Sequence, residues 1–188
     1  ARLIHKAEKS LAAGAKAVIL SDYGKGTCTA AVCAAVITAA HAQGVPVVVD
    51  PKGGDWGRYR GADYITPNLR ELNEVQRAPA ANENSAVESA ARYALRRFHI
   101  KAMVATRSER GLSLIKPRSA VHIPTKAQEV FDVSGAGDTV IAVFALALAG
   151  GLSPTDSAYL ANVAAGVVVG KLGTYAVSRE ELLAALAR

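Results

Sequence analysis

Short apolar runs that each end in a polar, glycine- or asparagine-bearing loop constrain this sequence most. Residues 15–20, 47–49, 64–66 and 102–106 are such runs, and helical patterns over 27–43, 69–75 and 85–98 lie between them. Runs of three to six residues are too short for helices and, where rich in valine and isoleucine, suit buried strands. Strands joined through crossover helices pair in parallel, with right-handed connections. Parallel strands place all their carboxyl ends on one edge, so the loops at 22–26, 50–54, 68–71 and 106–111 should meet there.

The remaining segments fit the same plan. An amphipathic helix over 3–13 stops at Gly14, and Thr27 or Thr29 can cap the helix that follows the first strand. Residues 112–115 and 121–124 flank a Lys-Pro-Arg-Ser turn and read as an antiparallel hairpin on the sheet edge. Ser153 and Pro154 open a long helix running to about Lys171 and ended by Gly173, and Ser178 opens a capped terminal helix. The expected fold is α/β, a mostly parallel sheet flanked by helices on both faces, with an antiparallel edge hairpin. With 188 residues, one core is the default, burying about 70% of the unfolded surface.

Composition narrows the function. The net charge is +6, yet Lys and Arg are scattered without a run of five or six, and aromatic residues are only 5%. A small anionic substrate fits that distribution, whereas a nucleic-acid module would show a motif or interleaved aromatics. Cys28 and Cys33 match neither a zinc nor a redox spacing and read as small packing residues in a helix, and the four histidines are scattered. No stretch is long and apolar enough for a membrane span, and the charged first residues do not read as a signal peptide, so a cytoplasmic protein is expected.

The chemistry concentrates at Asp132-Val133-Ser134-Gly135-Ala136-Gly137-Asp138, just before an apolar run over 140–149. A helix that begins on Gly-Ala-Gly leaves unpaired amides that an anion can reach without meeting large side chains. Asp138 at that edge suits proton acceptance. The same residues also suit a turn followed by a capped helix, and from this stretch alone the two readings stand level. Asn68 and Glu71, three apart at a helix start, can hold a hydrated Mg²⁺ beside phosphates or simply favour the helix dipole.

Taken together these motifs resemble the ribokinase (phosphofructokinase-B) family of sugar kinases. Residues 132–138 are similar to its second signature, with Val133 where Thr is usual; Thr66-Pro67-Asn68 with Glu71 resembles its N-x-x-E motif, and Thr106 with Gly111 its nucleotide-binding turn. Residues 20–26, 50–53, 58–62, 170–174 and 177–178 are most similar to the branch of the family that acts on D-glycero-D-manno-heptose 7-phosphate. The resemblance covers essentially residues 1–188, which correspond to the C-terminal portion of a ribokinase-like kinase domain, without the N-terminal sugar-site and lid portion.

The resemblance implies a carbohydrate kinase that uses ATP and Mg²⁺, with K⁺ as a further cation, and makes heptose 1,7-bisphosphate for ADP-heptose and lipopolysaccharide core synthesis. Another carbohydrate or nucleoside kinase of the family, or an inactive nucleotide-binding fragment, are the alternatives. It further implies Asp138 as catalytic base and Gly135, Ala136 and Gly137 as the anion hole. Asn68, Glu71, Thr106, Arg107, Gly111 and Asn162 would bind ATP, and Asn68 and Glu71 would serve Mg²⁺ through water. Asp132 would serve a monovalent cation, and Asp22 and Lys52 would contact the substrate. A homodimer and a fused adenylyltransferase domain outside this chain complete the expectations, with no nucleic acid or membrane partner.

Overall fold

The computed structural model describes residues 2–127 and 130–187. Six strands form one sheet in sequential order: β1 (Val18–Ser21), β2 (Val47–Asp50), β3 (Tyr64–Ile65), β4 (Ala102–Thr106), β5 (Leu112–Ile115) and β6 (Ala120–Ile123). The first four run parallel, and β5 and β6 add antiparallel at the edge as the expected hairpin. A further parallel bridge between Asn68 and Thr106 carries the β3–β4 pairing up to the loops.

Seven helices accompany the sheet among the described residues: α1 (Arg2–Ala12), α2 (Ala30–His41), α3 (Leu69–Glu74), α4 (Asn84–Phe98), α5 (Ala136–Ala149), α6 (Pro154–Val169) and α7 (Arg179–Leu186). Strand alternation divides the apolar side chains between two layers. Val47, Val49, Met103 and Ala105 pack with Leu11, Val36, Ile37, Leu72 and Leu95 of the first four helices. Val48, Val104, Leu112 and Leu114 pack with Ile141, Phe144, Ala158 and Ala161 of α5 and α6. The helices therefore cover both faces, and among the described residues none is long and apolar enough to cross a membrane.

Three local details differ from the sequence pattern. The helix expected to reach Lys171 stops at Val169, because the Val169 carbonyl accepts the Phe131 and Asp132 amides at 2.8 and 3.2 Å. Cys28 precedes α2, which starts only after Thr29 caps the Val32 amide; Cys28 and Cys33 are nevertheless both buried and unbridged, as packing residues would be. A one-turn 3-10 helix at Gly57–Tyr59 interrupts the second loop and buries Trp56 and Tyr59 completely.

Candidate functional site

The loops at the carboxyl ends of the parallel strands are tied to one another by side chains. Asp22, only 4% exposed, receives the Tyr59 hydroxyl at 2.6 Å and the Gly24 amide at 2.8 Å, and Arg58 lies 3.4 Å away. Tyr59 in turn accepts the Lys52 amide at 3.2 Å, which links the first loop to the second. The Lys52 ammonium reaches Glu71 Oε1 at 3.2 Å, linking the second loop to the third. At the start of α3, Asn68 Oδ1 accepts the Glu71 amide at 2.9 Å while Glu71 Oε2 accepts the Asn68 amide at 3.1 Å. This reciprocal cap satisfies two donors that a helix start leaves unpaired.

Opposite these loops stands the N-terminus of α5. Gly135 caps it in the left-handed region at φ 79°, and a Cβ there would also touch the Thr174 side chain at 3.4 Å. The Ala136 amide turns back to the Val133 carbonyl at 3.2 Å. Among the described residues, the Gly135 and Gly137 amides have no backbone partner, so of the three amides expected to face an anion only that of Ala136 has a backbone bond. Asp138, exposed in the first turn, receives the Tyr23 hydroxyl on Oδ1 at 2.9 Å.

Electrostatics sets the character of this edge. Burial, followed by the charges of Glu71 and Asp138, pushes the Asp50 carboxyl up to about 7, against the opposing pull of Lys52. Asp22, Asp50, Glu71 and Asp138 thus share one field in which Lys52 and Arg58 are the neighbouring cations. Carboxylates held this close disfavour one another's charged forms, so a cationic ligand is favoured here. Among the described residues no group of three or more acidic, histidine or cysteine side chains is arranged to hold a bare metal ion.

Other expected residues have different immediate partners. The Arg107 guanidinium is 1% exposed and bonds Asn82 Oδ1 and Asn84 Oδ1 at 2.9 and 2.6 Å, with Ser113 at 3.1 Å. It braces the turn from within. Thr106 pairs by backbone with Asn68, and Gly111, at φ 76°, lies so close to the backbone of Ile123, Pro124 and Thr125 that no Cβ fits. Asn162 is 4% exposed and donates to the Pro124 carbonyl at 2.8 Å, fastening the turn's neighbour to α6. Asp132 accepts the Ser134 amide on Oδ1 at 2.9 Å and the Gly173 amide on Oδ2 at 3.1 Å, bonds that hold its carboxyl below the usual range.

Sequence reasoning gave no individual role to Tyr23, Asp50, Arg58 or Tyr59: the first two lie in loops it placed on this edge, whereas Arg58 and Tyr59 lie beyond the 50–54 loop and entered only through the resemblance of residues 58–62. A cavity of about 590 Å³ beside α6 and α7 was also missed; Lys126, Phe131, Gly166, Lys171 and Glu181 contribute to its walls. The backbone of Lys126 and Ala127 comes within 3.1 Å of where a Gly166 Cβ would stand, so a side chain there would push that backbone by a few tenths of an ångström.

Residues 3–181 match the family profile described as pfkB family carbohydrate kinase. The chain is 54% identical over 177 residues to the bifunctional protein HldE of Mesorhizobium japonicum, spanning 94% of this chain and 35% of that protein. It is 50% identical over 168 residues to the bifunctional protein HldE of Citrifermentans bemidjiense, spanning 89% and 34%. The chain therefore spans about a third of the length of these curated relatives. Among solved structures, Arabidopsis thaliana ribokinase complexed with ribose and ATP aligns with a TM-score of 0.80 at 22% identity, over 97% of this chain and 58% of that one. Escherichia coli phosphofructokinase-2 in complex with potassium aligns with a TM-score of 0.81 at 18% identity, over 98% and 61%. The fold is ribokinase-like.

Proposed function

We propose, from the premise that this chain belongs to the pfkB family of carbohydrate kinases, that it is part of an ATP-dependent kinase acting on D-glycero-D-manno-heptose 7-phosphate. The product is heptose 1,7-bisphosphate, for ADP-heptose and lipopolysaccharide core synthesis. The observation that carries the reading is the placement of Asp138 beside the unpaired amides at the start of α5, linked through Tyr23 to the loop that follows β1. The choice of heptose rests on the sequence resemblance and on the relatives named HldE at 54% and 50% identity.

In this mechanism Asp138 accepts the proton of the sugar's anomeric hydroxyl as that oxygen bonds to the γ-phosphorus of ATP. The bond from that phosphorus to the β,γ-bridging oxygen breaks, and ADP leaves with the bridging oxygen. Developing charge on the transferring group is met by the Gly135 and Gly137 amides and the positive end of α5. Phosphoryl transfer depends chiefly on such positioning and neutralisation. Asn68 and Glu71 would hold Mg²⁺ through water, and the ion would neutralise phosphate charge beside Asp50. Thr106 and Gly111 would contact ATP through the turn backbone, with Arg107 and Asn162 holding that turn in shape. Backbone around Asp132 and the segment from Lys171 to Gly173 would hold a monovalent cation, while Lys52 would contact an anionic substrate group.

The relatives are named bifunctional and are about three times as long as this chain, which supports a fused adenylyltransferase domain in the complete protein. A homodimer is the assembly the resemblance implies. The substrate assignment is tested by ADP release from the complete protein with heptose 7-phosphate, ribose and fructose 6-phosphate. Preference for heptose 7-phosphate is the expected result, and a higher kcat/KM for either other sugar would overturn it.

A further inference from the structure

We infer that Tyr23 is a positioning residue for the catalytic carboxylate, and that Asp22 serves this arrangement as its buried anchor. This rests on the reading of Asp138 as base. Tyr23 and Asp138 lie 115 positions apart, yet the Tyr23 hydroxyl donates to Asp138 Oδ1 at 2.9 Å. The Tyr23 side chain is not held by burial, because the residue is 65% exposed. A large aromatic residue standing in solvent with its polar tip on a carboxylate is poorly explained as packing.

The loop is built to present it. Asp22 is withdrawn into the protein, where Oδ2 accepts the Tyr59 hydroxyl at 2.6 Å and lies 3.4 Å from the Arg58 guanidinium. Its Oδ1 accepts the Gly24 amide at 2.8 Å, closing a turn around Tyr23, and Gly24 takes the left-handed φ of 69° that this turn needs. Both Asp22 oxygens are therefore engaged on protein groups, which directs its role to the loop and away from substrate. With Asp22 fixed, the next side chain projects across to α5.

A carboxylate on an exposed helix turn has rotational freedom, and a general base must present one oxygen along a defined direction. Tyr23 engages Oδ1, and among the described residues Oδ2 accepts no hydrogen bond. The acceptor hydroxyl can then meet Oδ2 with the carboxylate plane already set. Nothing in this role requires Tyr23 to take up a proton.

The test is kinetic and uses the complete protein. Tyr23→Phe keeps the ring and deletes only the hydroxyl, and the loss of one such hydrogen bond corresponds to about a three- to ten-fold lower kcat. The KM for ATP and the melting temperature should stay unchanged, and the same substitution in an Asp138→Ala background should give no further loss. Wild-type kcat in Tyr23→Phe, with Asp138→Ala severely impaired, would overturn the role of Tyr23 while leaving the base in place. An equal loss in both backgrounds would show that Tyr23 acts independently of Asp138 and would also overturn it. Undiminished turnover by Asp138→Ala would instead remove the base reading itself.

Discussion

Asn68 and Glu71 cap each other across the first turn of α3, with amide-to-oxygen distances of 2.9 and 3.1 Å, while Glu71 keeps its second oxygen 3.2 Å from Lys52. The helix-start role and the ligand role that the sequence left as alternatives are thus compatible in one geometry. Capping uses Asn68 Oδ1 and Glu71 Oε2 and fixes where the remaining polar atoms stand.

That arrangement separates two effects of mutation. Asn68→Ala removes a cap and should cost about 1 kcal/mol, lowering the melting temperature by about 2–4 °C in a domain of this size. Glu71→Gln keeps an acceptor for the Asn68 amide but removes the charge, so its stability loss should be smaller. Its requirement for Mg²⁺ in the kinase assay should rise. An unchanged Mg²⁺ dependence in Glu71→Gln would limit this residue to capping.

Asp50 gives the site a pH dependence whose sign follows from its raised value. Its carboxyl titrates near 3.8 in the free state and about 7 in the fold, displaced first by burial and then by Glu71 and Asp138. The folded state therefore binds the proton more tightly, so this group's stabilising contribution is complete below about pH 4 and is lost as pH rises through 7. Asp50→Asn should be more stable than wild type at pH 8, by on the order of a few kcal/mol, with the difference vanishing near pH 4. Denaturant unfolding at the two pH values measures it, and a difference independent of pH would contradict the assignment.

Gly111 marks where the turn after β4 meets the end of β6. Its φ of 76° and ψ of −130° form a combination open essentially to glycine alone. A Cβ would also collide with the backbone of residues 123–125, which cannot rotate away. Gly111→Ala should therefore lose more than about 1–3 kcal/mol, the usual cost of such strain, and should raise the KM for ATP. Wild-type melting and wild-type KM would show that the turn has more freedom than its geometry allows.

Local chemistry carried most of the fold. β-branched runs stopped by Asp50-Pro51 and by Pro67-Asn68 announced strands, and the spacing of Asn68 with Glu71 and the polar start at Ser178 announced helix starts that the structure caps. The hairpin followed from its turn residues. The relations that assemble the site lay beyond local reading. Tyr59 and Asp22 meet across 37 positions and Tyr23 and Asp138 across 115, and no periodicity encodes either contact. The surroundings of Arg107 were illegible for a different reason. Arginine is ordinarily exposed, and its burial here depends on Asn82 and Asn84 ahead of α4, Ser113 on β5 and His122 on β6 arriving together.

The account depends most on Asp138 as the proton acceptor at the start of α5. Its direct test is the steady-state rate of ADP release by the complete protein with heptose 7-phosphate, comparing wild type with Asp138→Asn, a nearly isosteric change that retains an acceptor for Tyr23. The predicted result is a fall in kcat of about 10²- to 10⁴-fold, the usual contribution of a positioned general base, with little change in melting temperature. Turnover by Asp138→Asn equal to that of wild type would contradict the account.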